Sequence, residues 1–160
     1  MKQCFYYLFV AMMMAVFTTG LTACGDDSDE PEGGDIVGTW SSDLGQEIIN
    51  AMDGIYSSGE DLIQFKEDGT YVEVSVLNFT KEWADFCADD EDFKNPEIEI
   101  DRGTYTISGN TLTLYYSDGT KEVCTVNIKG KSMTVTTTYG LIISTTFTKV
   151  SDSVINKYLH

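Results

Sequence analysis

The feature that most constrains this chain is a rhythm of turn signals. Asp68-Gly69, Gly109-Asn110, Asp118-Gly119, Gly130-Lys131 and Gly140 recur along it, each flanked by residues that alternate apolar and polar or favour extended backbone. Short segments punctuated this way read as antiparallel strands, predicted near 36–41, 61–66, 70–77, 102–108, 111–117, 121–129, 132–139 and 142–149. Tight turns between them favour an all-β, eight-stranded antiparallel up-and-down barrel, because closure removes the edge strands that would otherwise aggregate.

Alternation assigns faces. Val72, Val74 and Val76 oppose Tyr71, Glu73 and Ser75; Leu112, Leu114 and Tyr116 oppose Thr111 and Thr113; Cys124, Val126 and Ile128 oppose Thr125 and Asn127. The expectation is that each apolar set faces the core and each polar set faces water. Threonines at 134, 136, 138, 145, 146 and 148 suit a pleated, half-exposed surface.

Two excursions interrupt the meander. From Asp43 to Ser58, Leu44, Ile48, Ile49, Met52, Ile55 and Tyr56 share one helical face behind an Asp43/Gln46 capping box, which predicts a short amphipathic helix. Residues 78–101 carry Phe79, Trp83 and Phe86 at helical spacing before Asp89-Asp90-Glu91-Asp92, which predicts a helical turn followed by an acidic loop. After Ser151, Val154, Ile155, Tyr158 and Leu159 predict a terminal helix over residues 151–160, packed outside the sheet.

The front of the chain does not belong to the barrel. Residues 1–23 run from Lys2 through an apolar stretch, Phe5 to Phe17, to small residues, the three-part layout of a secretory signal. That stretch is short of the roughly 20 residues a bilayer span requires. Leu21-Thr22-Ala23-Cys24 resembles the lipobox of bacterial lipoproteins, in which the cysteine is lipidated and becomes the first residue. Acyl chains at about 0.8 kcal/mol per buried CH₂ would then hold Cys24 on a membrane. Residues 24–35, ending Gly-Asp-Asp-Ser-Asp-Glu-Pro-Glu-Gly-Gly-Asp, contain after the cysteine no apolar side chain that could offset ordering entropy and read as an acidic tether. An acidic cluster just after a lipidated cysteine also resembles the export signal by which some Gram-negative bacteria send lipoproteins to the outer leaflet. The expected location is therefore the outer membrane, lipid-anchored and exposed at the cell surface.

Composition excludes some partners. Ten basic and 26 acidic residues give a formal charge of −16, and loss of Lys2 with the signal makes it −17. Nucleic acid and anionic lipid head groups would be repelled. Within the domain two cysteines remain, Cys87 and Cys124, for which an oxidising compartment leaves two alternatives: a disulfide, or two separate buried thiols.

Ile36-Val37-Gly38-Thr39-Trp40 resembles the Gly-x-Trp opening of lipocalins and of bacterial lipocalin-like lipoproteins, and Gly103 to Leu114 and Phe147-Thr148-Lys149-Val150 are also typical of the latter. The resemblance covers residues 36–150. It implies a barrel with one closed end, plugged by Trp40, and one open end that holds a small apolar or amphipathic molecule. It also lays the first excursion across that open mouth. The aromatics Tyr56, Phe79, Trp83 and Phe86 would there form a lid over a ligand, or bury one another against the rim.

Motifs for catalysis are missing from the sequence. The single histidine is the terminal His160, and there is no Gly-x-Ser-x-Gly, His-Glu-x-x-His, phosphate loop or Cys-x-x-Cys. Asp89-Asp90-Glu91-Asp92 lacks the alternating pattern by which one loop wraps calcium, so it is expected to be solvated. No enzyme activity, cofactor or metal is expected. The chain reads as a ligand-binding lipoprotein, or alternatively as a solid-cored envelope interaction protein.

Overall fold

The computed structural model describes residues 35–44, 49, 54–138 and 142–159. The expected export signal, the lipidated Cys24 and most of the acidic tether lie outside the described residues, as does most of the helix expected after Asp43.

Strands β1 (Gly38–Asp43), β2 (Tyr56–Phe65), β3 (Thr70–Phe79), β4 (Glu97–Ser108), β5 (Thr111–Tyr116), β6 (Lys121–Lys129), β7 (Ser132–Thr138) and β8 (Ile142–Val150) form one sheet in chain order. Every pairing is antiparallel, and β8 returns to β1 to close the barrel. Gly109-Asn110 and Gly130-Lys131 close two-residue turns, with the glycines at φ 57° and 61°, the left-handed region that such hairpins require.

Two expected segments are shorter than the excursions read from sequence. Tyr56 to Ser58 belong to β2 rather than to a helix, and Glu97 to Asp101 extend β4 rather than the acidic loop. In both cases pairing to β3 outweighs local pattern: Tyr56 lies opposite Phe79, and Leu77 opposite Glu97. Between β3 and β4 the chain makes one short helix, α1 (Lys81–Phe86), capped by the Thr80 side chain.

The faces of β3 are reversed from expectation. Residues opposite one another in antiparallel strands project to the same side, and the rung Trp40, Ile63, Glu73, Asp101 runs across β1 to β4. Trp40 is fully buried in the barrel core, so Glu73 and Asp101 face inward. Val72, Val74 and Val76 face outward, where they form a second apolar cluster with Leu62 and Ile155. The short helix α2 (Ser153–Asn156) brings Ile155 onto that outer face, flanked by Val154, Tyr158 and Leu159, as the terminal-helix expectation had it. Thr39 beneath it donates to Asp152 Oδ1 at 2.6 Å and accepts from Gln64 Nε2 at 3.2 Å, which satisfies buried polar groups on that side. β3 is thus sandwiched, and a strand covered on both sides has no wet face for alternation to identify. On β5 and β6 the expected faces hold: Leu112, Leu114, Cys124, Val126 and Ile128 all point into the core.

One rung needs a glycine. Tyr71 lies opposite Gly103, and Gly103 opposite Tyr116. A Cβ on Gly103 would stand 2.0 Å from the Tyr115 carbonyl oxygen and 2.8 Å from Tyr71 Cε1. Because one of those atoms is backbone, Gly103→Ala forces β4 and β5 apart and is expected to cost about 1–3 kcal/mol in chemical denaturation.

Candidate functional site

The barrel interior divides into two halves. At the end where β1 begins, Trp40, Phe65, Met133, Phe147, Ile128, Val126 and Leu112 pack into a continuous apolar core. Trp40 Nε1 donates to the Ile36 carbonyl at 2.7 Å, and Lys149 Nζ lies 5.1 Å from the Trp40 ring centroid.

Toward the other end the inward positions turn acidic. The rung above Glu73 and Asp101 is Ser42, Asp61, Ser75 and Glu99; the next holds Gly59, Leu77 and Glu97; and Glu122 lies opposite Leu114 on the far wall. Three of these carboxylates accept side-chain hydrogen bonds: Asp61 from Ser75 (2.7 Å), Glu122 from Tyr116 (2.7 Å) and Glu97 from Tyr56 (2.9 Å). Burial, reinforced by Asp61, Asp101 and Glu122, raises the Glu73 carboxyl to about 7. Burial likewise raises Asp61 and Glu99, in each case with help from a neighbouring carboxylate.

β4 is unpaired along one edge beside these carboxylates. β5 pairs only with Gly103–Ser108, so residues 97–102 of β4 are held by β3 on one side alone. Glu99 and Asp101 are accordingly exposed although they face inward.

The aromatic residues singled out from sequence separate into two groups. Tyr56 and Phe79 meet at 4.8 Å between ring centroids, and Phe93 joins Phe79 at 4.9 Å. Tyr56 is buried with Ile49 and Leu77, and Leu44, Ile55 and Phe79 pack on them at the mouth. Trp83 and Phe86 pair on α1 at 5.6 Å, but Phe86 is 74% exposed. Helical spacing linked Phe79 to Trp83 and Phe86, yet Phe79 ends a strand, and the periodicity breaks at Thr80. Trp83, Phe79 and Phe93 line a mouth cavity of about 320 Å³ that also takes in Glu97 and Glu99. The mouth cavity and the acidic chamber therefore share two carboxylates.

Cys87 and Cys124 are not bonded to each other. Cys87 is buried in the loop after α1, whereas Cys124 lies within the barrel core. Burial, aided by Glu122, pushes the Cys124 thiol up to about 12. Cys124 is expected to resist iodoacetamide in the folded protein and to alkylate only on unfolding, as peptide mapping would show.

Among the described residues no group of carboxylates, cysteines or histidines could hold a metal ion, and no helix is long and apolar enough to cross a membrane. Sequence reasoning did not single out Asp61, Glu73, Glu99, Asp101 and Glu122. The available signal was the run Glu97-x-Glu99-x-Asp101, acidic at every second residue, which places three charges on one face of a strand.

Among solved structures, the Cpx pathway activator NlpE from Escherichia coli matches with 17% identity over 68% of this chain and 46% of that one, at a TM-score of 0.46. This chain thus spans under half of that protein, and a likeness of that size says nothing of function. No curated protein matches the sequence. A model of the lipocalin-like domain matches residues 36–135, most of the closed barrel, and the chain belongs to the lipocalin-like domain family.

Proposed function

We propose that this protein is an exported lipoprotein, held at the outer membrane through Cys24 and displayed at the cell surface, whose barrel binds a small amphipathic molecule. The anchor rests on Leu21-Thr22-Ala23-Cys24 following an apolar core, and the surface location on the acidic tether behind it. The binding role rests chiefly on the divided interior. A solid apolar core fills one end, and above it the inward positions carry carboxylates, of which Glu97 and Glu99 also line the aromatic cavity at the mouth. Interiors built only for stability avoid carboxylates without cationic partners, because each costs desolvation. Their presence here, with Phe79, Trp83 and Phe93 at the entrance, suits a ligand with both polar and apolar parts. The role is binding rather than catalysis.

Native mass spectrometry of the full-length protein, extracted from its host in mild detergent, tests this. A reproducible added mass that disappears on denaturation is the expected result. A bare mass in every preparation would contradict it and favour a second reading, an envelope interaction protein. That reading has one specific observation behind it: the half-paired stretch of β4 exposes Ile98 (44%) and Ile100 (36%) on its outer face.

A further inference from the structure

Six inward carboxylates, Asp61, Glu73, Glu97, Glu99, Asp101 and Glu122, crowd one half of the barrel. Among the described strand residues the one inward cation is Lys149, opposite Trp40 at the other end. This charge has no counterpart within the described walls, and no three of these groups converge closely enough to ligate a metal ion.

An independent observation sits beside them. Tyr71 is 2% exposed, and its hydroxyl is the one buried side-chain polar atom among the described residues that has no hydrogen-bond partner. Leaving such a group unpaired costs free energy, so it marks a place where a partner is missing. The ring packs edge-on to Tyr116 at 6.2 Å, and Tyr116 in turn holds Glu122. Tyr71 lies on the inward side of β3, two residues from Glu73, and Glu73, Asp101 and Glu122 are among the charges that, after burial, hold its hydroxyl protonated.

We propose that the chamber binds a linear aliphatic amine, its ammonium groups received by Glu73, Asp101, Glu99 and Glu97 and by the Tyr71 hydroxyl. This rests on the small-molecule reading above and names its ligand class. Ammonium groups donate hydrogen bonds that carboxylates and a tyrosine oxygen accept, and they supply the positive charge the walls lack. Glu97, Glu99 and Asp101 repeat every second residue along β4, about 6.8 Å apart, which suits several ammonium groups separated by short methylene runs better than one compact ion. The methylenes find apolar surface at Phe79, Trp83 and Phe93, whose rings also attract cations. Polyamines are the best match within this class.

The test is calorimetric titration of the full-length protein in mild detergent with spermidine. One-to-one saturable binding is expected, weakened at least tenfold in Glu73→Gln/Asp101→Asn and unchanged in Asp89→Asn/Glu91→Gln, which removes the same charge from the exposed loop. Tyr71→Phe keeps the ring packing and is expected to weaken binding severalfold. Because Glu73 must lose its proton, affinity should rise about tenfold from pH 6 to pH 8, and this dependence should vanish in Glu73→Gln. The groups facing Glu73 are Asp61 from β2, Asp101 from β4, Tyr116 from β5, and Glu122 and Cys124 from β6, with Tyr71 on its own strand. Equal weakening by the two double variants would show only nonspecific attraction to an acidic protein and overturn the proposal, as would absence of saturable binding. If the purified protein retains a neutral molecule yet ignores spermidine, the amine class fails while the small-molecule reading stands. If it retains nothing and ignores spermidine, both fail.

Discussion

Trp40→Ala is expected to lower the unfolding free energy by about 3–5 kcal/mol, enough to remove a large part of the stability of a small domain. Trp40 is fully buried and belongs to the same cluster as Ile36, Ile63, Phe65, Met133 and Phe147, so truncation leaves a cavity bordered by several strands at once. Its indole N–H also satisfies the Ile36 carbonyl, and it ties the segment before β1 to the barrel floor. Trp40→Phe keeps most of the ring volume but loses that hydrogen bond, and is expected to cost less than Trp40→Ala, about 1–3 kcal/mol. Urea denaturation of both variants measures the difference. A cost for Trp40→Ala below about 1 kcal/mol would mean that the indole does not fill this end of the barrel.

Lowering the pH from 8 to 5 is expected to stabilise the protein, the opposite of the usual behaviour of an acidic domain held by ion pairs. Glu73 carries the effect. Its carboxyl is raised from 4.5 to about 7 in the folded state, first by burial and then by Asp61, Asp101 and Glu122. The folded protein therefore holds this proton more tightly than the unfolded chain. Stability from the protonated form is present below about 4.5 and is lost as pH rises through 7, by about 3 kcal/mol in all. Asp61 and Glu99 shift in the same direction. Asp68 and Asp118 shift oppositely, held down by Thr70 and Thr120, but their window lies below the ordinary aspartate range and does not overlap. Glu73→Gln should flatten the profile between pH 5 and 8 and raise the melting temperature at pH 8. A profile unchanged by this substitution would place the titrating group elsewhere.

The barrel was legible in the sequence because its turns are explicit. Glycine-containing pairs at 109–110 and 130–131 fixed the β4–β5 and β6–β7 hairpins, and the expected strand 121–129 coincides with β6. The C-terminal helix was legible from the apolar spacing of Val154, Ile155, Tyr158 and Leu159. That helix is also why β3 was misread. Alternation distinguishes two faces but does not say which faces the lumen, and the polar set was assigned to water on the premise that the protein has one core. The helix that covers the outer valines begins at Ser153, 77 residues beyond Val76, and this long-range contact has no signature within β3 itself. The acidic cluster is illegible for two reasons: the face assignment puts Glu73 and Ser75 in water, and Glu97, Glu99 and Asp101 fall within the excursion read as ending in an acidic loop. Tyr56, Phe79, Trp83 and Phe86 stand out in the sequence at helical spacing within the two excursions, but Tyr56 and Phe79 sit at strand ends, where they pack on each other, and Phe86 faces solvent.

Inward placement of the β3 carboxylate is the claim on which chamber, function and ligand class all depend, and ¹³C NMR titration of the Glu73 side-chain carboxyl in the ligand-free protein tests it most directly. A midpoint near 7, moving toward lower pH when Asp61 or Asp101 is neutralised, is the predicted result. A midpoint near 4.5 that ignores both substitutions would put Glu73 in open solvent, with Val72, Val74 and Val76 facing the lumen in its place, and would contradict the account.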